Sequence, residues 1–458
     1  MHPRFMAPLA TFLILVSGLA AQDKRRVTEP VLPPVCASLE AHLVSIQDPS
    51  GGTLAPADER KLDTARIQSA IDHCAKGHGV ALSARGSDNA FLSGPLQLRA
   101  GVTLIVGKGV TLFASRDPAL YAISPGSCGV VNHARPGCKP LISADHAPGS
   151  GVMGNGVIDG RGGAAMLGSQ FSWWKLAAQA RAGGRQQVPR LIVADYSGNF
   201  TLYRITLRNS ANFHVVYDHG DGFTAWGVKI NTPQRHARNT DGIDPGDGAR
   251  NVTITHSYIR DGDDNVAIKG GAGGARDMTI SDDHFYWGHG MSIGSETFGG
   301  VSHIFVSNLS LDGPDNGIRI KSNGSRGGLV EDVVYDHVCI RDSPHPITLD
   351  TAYAAAGTLT GNSLPVMRAI TLQHVRISGG GKITFNGYDH THRIAVTLDG
   401  VQITDQAHYT YELAHADITL GPEPTNLLLP AGTDSTIKGR PQKGRPVSCA
   451  AMFAPFPK

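Results

Sequence analysis

The chain has 458 residues, 56 glycines, 17% charged residues and a net charge of +2. So small a charge gives no support to a nucleic-acid partner, and it suits an acidic polymer only if positive charge is gathered locally. A glycine-rich, charge-poor composition argues against a helical protein, and a chain this long can still be one domain if it is a solenoid that grows by stacking.

The first residues read as a secretory signal over residues 1–21. Arg4 supplies the positive start, Ala7 to Val16 the apolar core, and Gly18-Leu19-Ala20-Ala21 the small-residue cleavage region. The apolar run falls short of the ~20 residues that a bilayer span requires, and no later stretch reads as a membrane segment. Six cysteines, an even number, fit an oxidising destination. Their pairing is not fixed by sequence, but proximity favours Cys128–Cys138, with Cys36–Cys74 at the N-terminal end and Cys339–Cys449 pinning the tail.

Residues 22–458 read as one domain. The segment to about Ala57 is proline-rich and is expected to wrap the start of the fold. A cap at about 58–78 contains one helix, Lys61 to Lys76, in which Ile67, Ala70, Ile71 and Cys74 share a face, Asp63 or Thr64 can cap, and Gly77 can stop. Strands follow at Val80–Leu82, Leu96–Leu98, Val102–Val106 and Val110–Phe113, and then an excursion from Asp117 to Pro148. Gly149-Ser150-Gly151-Val152-Met153-Gly154 matches a dinucleotide-binding fingerprint, but strand-and-turn sequence follows it where a helix is required. Met166 to Val188, with Trp173, Trp174, Arg181 and Arg185, reads as a surface insertion packed back on the body, with a cleft wall as the functional alternative.

From there a repeat takes over. Val252-Thr253-Ile254 is echoed by Met278-Thr279-Ile280, Ile304-Phe305-Val306 and Val333-Val334-Tyr335, at intervals of 26, 26 and 29 residues. A second family runs Val266-Ala267-Ile268, Met291-Ser292-Ile293, Ile318-Arg319-Ile320 and Ile347-Thr348-Leu349, at intervals of 25, 27 and 29. Each alternates as a half-buried strand does, with no helix between. The pattern predicts an all-β, right-handed, single-stranded parallel β-helix with a short N-terminal capping helix. Coil-like segments continue through Ile370 to Leu398, and an irregular tail is expected from about residue 406.

In such a solenoid, residues one coil apart become neighbours at ~4.8 Å. That stacks Asp241 of Asn239-Thr240-Asp241-Gly242 on Asp263 and Asp264 of Gly262-Asp263-Asp264-Asn265, and these on His289 of Gly288-His289-Gly290. Grouped carboxylates either bind a cation or share protons, and a protonated acid beside an ionised one is what glycosidic hydrolysis needs. Asp-Gly alone is ordinary turn chemistry, and Asp282-Asp283 is read that way. Arg319 and Lys321 share a strand face and form a socket for a carboxylate. An edge of solvated charges is the plainer reading of that pair.

These residues resemble the four signatures of the polygalacturonases, pectin-degrading glycoside hydrolases built on a right-handed parallel β-helix. Asn239-Thr240-Asp241, Gly262-Asp263-Asp264, Gly288-His289-Gly290 and Arg319-Ile320-Lys321 occur in order, and the strings from Gly288 to Glu296 and from Asn316 to Ser322 resemble the bacterial branch. The resemblance runs from about Thr64 to Leu398 and is weakest in the N-terminal third. It implies hydrolysis of α-1,4-linked galacturonan with inversion. Asp263 would protonate the leaving oxygen, Asp241 and Asp264 would activate water, and His289 would support the acid. Arg319 and Lys321 would bind the galacturonate carboxylate, with Tyr353 as a further subsite residue. No cofactor and no metal are implied, and the partner is polygalacturonate rather than nucleic acid or membrane. The enzyme is expected to be secreted, monomeric and endo-acting, since no large N-terminal addition points to exo action. Asn265 stands where fungal members often carry cysteine.

Three rivals share the sequence. A calcium pectate lyase would use the aspartates as a cation site. An exo-acting or rhamnogalacturonan-directed relative would differ in its loop walls. A silent polysaccharide-binding β-helix would have no need of the acid–base set. The sequons at Asn199, Asn251, Asn308 and Asn323 carry meaning only in a eukaryotic host.

Overall fold

In a computed structural model, residues 22–47, 52–134, 136–354 and 361–457 are described; the signal-like segment 1–21 lies outside them. The strands stack in register into a right-handed parallel β-helix. Val252 pairs with Met278, Met278 with Ile304, Ile304 with Val333, and the column runs on through Ile370, Val396 and Ile418. All seven are buried. Burying a side chain of this kind stabilises by ~1.5–3 kcal/mol, so a column of them holds each coil on the next. The second family stacks likewise, Val266 on Met291, Met291 on Ile318 and Ile318 on Ile347.

Between the families the backbone bends sharply. Asn251, Asp277, His303 and Asp332 occupy one position on successive coils, each with φ between 53° and 60°. Asn, Asp and His are the non-glycine residues that tolerate this left-handed conformation best. Asn199 and Asn308 adopt it too, while Asn323 is fully buried. The sequon asparagines therefore have structural reasons to be there.

The N-terminal cap is a helix from Thr64 to His73 with Ile67 and Ile71 buried against the first coils. Asp63 stands at its N-cap, but its carboxylate receives Arg66 and the main-chain N–H of Leu92 instead of a helix N–H. Cys74 ends the helix and is bonded to Cys36; Cys128–Cys138 and Cys339–Cys449 are the other disulfides, as expected. The proline-rich start is more regular than its composition implies. Val35–Glu40 pairs in parallel with His78–Ser83, and Asp23, Arg25 and Glu29 reach Thr279, Phe223 and Tyr203, so the chain start lies across several coils.

Two further expectations change. The excursion 117–148 ends early, because Ile142–Asp145 already belongs to a coil and pairs with Ile192–Asp195. The irregular tail expected from about 406 instead holds the strands Tyr409–Ala414 and Ala416–Leu420. The step from Val396 to Ile418 is 22 residues, shorter than the preceding coils, and this takes the last strands out of the repeat's phase. Among the described residues no helix is long and apolar enough to cross a membrane.

Candidate active site

One sheet of eleven parallel strands carries the site. Asp241 leads into the strand Ile243–Pro245, the Asp263-Asp264 pair into Val266–Ile268, and His289 into Met291–Ile293. Arg319 and Lys321 belong to Asn316–Lys321, with Ser292 paired beside Arg319. The aspartates and His289 thus sit just before the N-terminal ends of adjacent strands, while Arg319 and Lys321 project from within and at the end of the next strand. Asp241, Asp263, Asp264, His289 and Lys321 line a cleft of about 760 Å³ that also includes Phe213, Lys269, Asp315 and Tyr353, and Arg319 stands beside it through its bond to Asp264.

Asp263 and His289 are a pair. The imidazole Nδ1 is 3.1 Å from Asp263 Oδ1, and Nε2 is 3.5 Å from Asp315 Oδ2. Asn239 donates its main-chain N–H to Asp263 Oδ2 at 3.2 Å. Burial pushes the Asp263 carboxyl up, but His289 outweighs it and holds the group below the usual carboxylate range. Burial would lower His289, yet its bonds to Asp263 and Asp315 lift it to about 10. Between these two groups the proton therefore rests on the imidazole.

Asp264 is the most fully compensated of the three. Its Oδ1 receives Ser292 at 2.8 Å and Arg319 at 3.1 Å, and its Oδ2 receives Lys321 at 2.6 Å. Burial works against its charge, but Lys321 and Arg319 dominate and keep it strongly ionised. Both cations lie near the Tyr353 ring, at 5.3 and 5.2 Å from its centroid. All seven residues singled out in the sequence meet here.

Asp241 is different. Its Oδ2 is 3.2 Å from the Lys269 ammonium, while its buried Oδ1 has no hydrogen-bond partner among the described residues. Burial, with Lys269 opposing and the neighbouring carboxylates adding, raises it well above the ordinary value. Lys269 also meets Asp244 at 2.5 Å and stands 4.0 Å from the Phe213 ring centroid. Lys269, Asp244, Ser292 and Asp315 were not singled out in the sequence. The signal for the first two was there: opposite charges 25 residues apart, one coil interval.

The insertion is both things it was read as. Trp173 is buried edge-on against Tyr121 and Trp174 bonds the Ser210 carbonyl, while Ala178 and Arg181 line the cleft. Ligand atoms of Asp263, Asp264 and His289 lie within 4.8 Å of one another, a spacing a metal ion could use. Arg319 and Lys321 already neutralise Asp264, which disfavours a divalent cation there. A second such group, Asp336, His337 and His374, lies on the other sheet, away from the cleft.

Comparison with known proteins gives one consistent answer. The family model described as glycosyl hydrolases family 28 matches residues 74–417. An endo-polygalacturonase of Pectobacterium parmentieri is 41% identical over 401 residues, covering 87% of this chain and 93% of its own length. A polygalacturonase of Ralstonia nicotianae is 36% identical, covering 94% and 92%. The solved polygalacturonase from Erwinia carotovora ssp. carotovora superposes with a TM-score of 0.79 at 41% identity, covering 87% of this chain and all of that one.

Proposed function

The chain belongs to glycosyl hydrolases family 28, and we propose that it is an endo-polygalacturonase that hydrolyses the α-1,4 linkages of polygalacturonate with inversion. One observation carries the reading: three carboxylates, an imidazole and a carboxylate-binding cation pair converge in one cleft. The relatives named as endo-polygalacturonases support the endo mode. Residues 22–458 act as one catalytic unit, a monomer. Removal of residues 1–21 on secretion accords with three disulfides.

In this reading the galacturonate carboxylate next to the cut docks on Arg319 and Lys321, with Tyr353 beside them. That adds negative charge where Asp264 had held both cations. The potential at Asp263 falls, and its affinity for the proton resting on His289 rises. Asp263 is the most open of the three carboxylates, with 17% of its side chain exposed against 5% for Asp241 and 3% for Asp264. It passes its proton to the leaving glycosidic oxygen as the bond to the anomeric carbon breaks. Water forms the new bond from the opposite face and gives a proton to the Asp241–Asp264 side. Solvent exchange returns the proton balance.

Two readouts test it. Viscosity of polygalacturonate should collapse while few reducing ends have formed, as random internal cutting requires. The first product seen by NMR should be the β-anomer; an α-anomer would remove inversion.

A further inference from the structure

Behind the acid–base set lies a buried ionic group to which the reading above gives no task. Lys269 holds Asp244 Oδ2 at 2.5 Å and Asp241 Oδ2 at 3.2 Å, with the Phe213 ring on a third side. Asp244 is 2% exposed and Asp241 3%. Burying an ammonium between two carboxylates is an expensive way to join two coils, since apolar side chains of similar volume do it as well or better. Lys269 is the one cation bonded to both anions, with Arg190 acting on Asp244 from further away, so the group carries an excess of negative charge that a proton on one carboxyl relieves.

The free atoms say where that proton acts. Asp264 has both oxygens engaged by Arg319, Ser292 and Lys321. Asp241 has one oxygen anchored on Lys269 and the other, Oδ1, buried and without a hydrogen-bond partner among the described residues. Asp241 lines the cleft with one ion pair on its carboxylate, where Asp264 receives three donors, and the less engaged carboxylate keeps more of its lone pairs for a water proton. We infer that Lys269 and Asp244 are a pair of positioning residues that set the proton affinity of Asp241 and make it, rather than Asp264, the group that takes the proton of the attacking water. This rests on the polygalacturonase reading.

Other charges act on Asp241 as well. Asp261, Asp263 and Asp264 face it from the next coil, each raising its proton affinity. His289, Arg319 and Lys321 counter them through Asp263 and Asp264. From the preceding coil His214, kept neutral by a burial that lowers it to about 4, meets Asp241 at its main-chain carbonyl and otherwise bonds the Thr240 carbonyl and the Thr232 hydroxyl. Within this set Lys269 pulls the proton off Asp241 and Asp244 pushes it on. The two are antagonists, which a purely structural salt bridge is not.

The test is the pH dependence of kcat/KM on polygalacturonate for the whole enzyme. Lys269→Met should move the acid limb up by ~1 pH unit, as loss of a cation within 4 Å of a carboxylate does. Asp244→Asn, nearly isosteric, should move the same limb down by a similar amount, and Lys269→Arg should restore it towards wild type. KM should change little in all three. If Lys269→Met does not fold, by circular dichroism, the downward shift in Asp244→Asn still decides. Shifts in the same direction, no shift, or a change in KM alone would overturn the inference and leave a structural ion pair. A shift of the alkaline limb instead would overturn the base role of Asp241. If wild type releases no reducing ends at all, the functional reading itself has failed; if wild type cuts and the limbs do not separate, only this inference has.

Discussion

The ammonium of Lys321 lies 2.6 Å from Oδ2 of Asp264 across 57 residues of sequence, and both side chains are almost wholly buried. The residue expected to bind substrate is thus also the counter-ion of a buried carboxylate. Removing it leaves Oδ2 of that buried carboxylate without its donor and Arg319 as the one cation bonded to it, a loss of ~1–3 kcal/mol. Lys321→Ala should therefore raise KM and also lower the urea midpoint. Arg319→Ala leaves Lys321 in place, so it should raise KM by ~10-fold or more, as the loss of a charged hydrogen bond does, with a smaller effect on stability. Equal stability loss in the two variants would contradict the pairing.

Asp263→Asn should cost ~100-fold or more in kcat, within the range general acid catalysis supplies. The change is nearly isosteric, so KM and the fold should be kept, with a lower melting temperature because His289 loses its charged partner. Activity close to wild type would remove Asp263 from the acid's role.

His289 makes a prediction of sign. Its folded value of about 10 stands above the unfolded 6.5, so folding favours its protonated form. Its contribution to stability is complete below pH 6.5 and disappears as the pH rises through about 10. The gap in melting temperature between wild type and His289→Gln should narrow over that window. A constant gap would mean that the imidazole is held neutral.

The bond Cys339–Cys449 ties the tail to the coils, and beyond it Phe456 packs on Arg260 and Tyr286 behind the catalytic turn. Replacing both cysteines by serine should lower stability by ~2–4 kcal/mol, read in the urea midpoint. An unchanged midpoint would show that the Phe456 contacts hold the tail unaided.

The strand columns were legible because a solenoid writes its contacts as a period. Val252, Met278, Ile304 and Val333 announce their own stacking, and the signature aspartates inherit their neighbours from it. The same period could have paired Lys269 with Asp244, but one lysine at the end of an apolar strand gives no local sign of burial. Asp315 was hidden for another reason: its N–H bonds the Gly288 carbonyl, a turn-to-turn contact that no side-chain pattern encodes. The strands Tyr409–Ala414, Ala416–Leu420 and Thr436–Lys438 were missed when the coil shortened and fell out of step.

Hydrolysis without a metal separates this enzyme from a calcium lyase. The most direct measurement is incubation with polygalacturonate in excess EDTA, following reducing ends and the ultraviolet absorbance of unsaturated product together. Reducing ends with no ultraviolet signal are the predicted result. An ultraviolet signal that EDTA abolishes would make the aspartates a calcium site and the enzyme a lyase, contradicting the account.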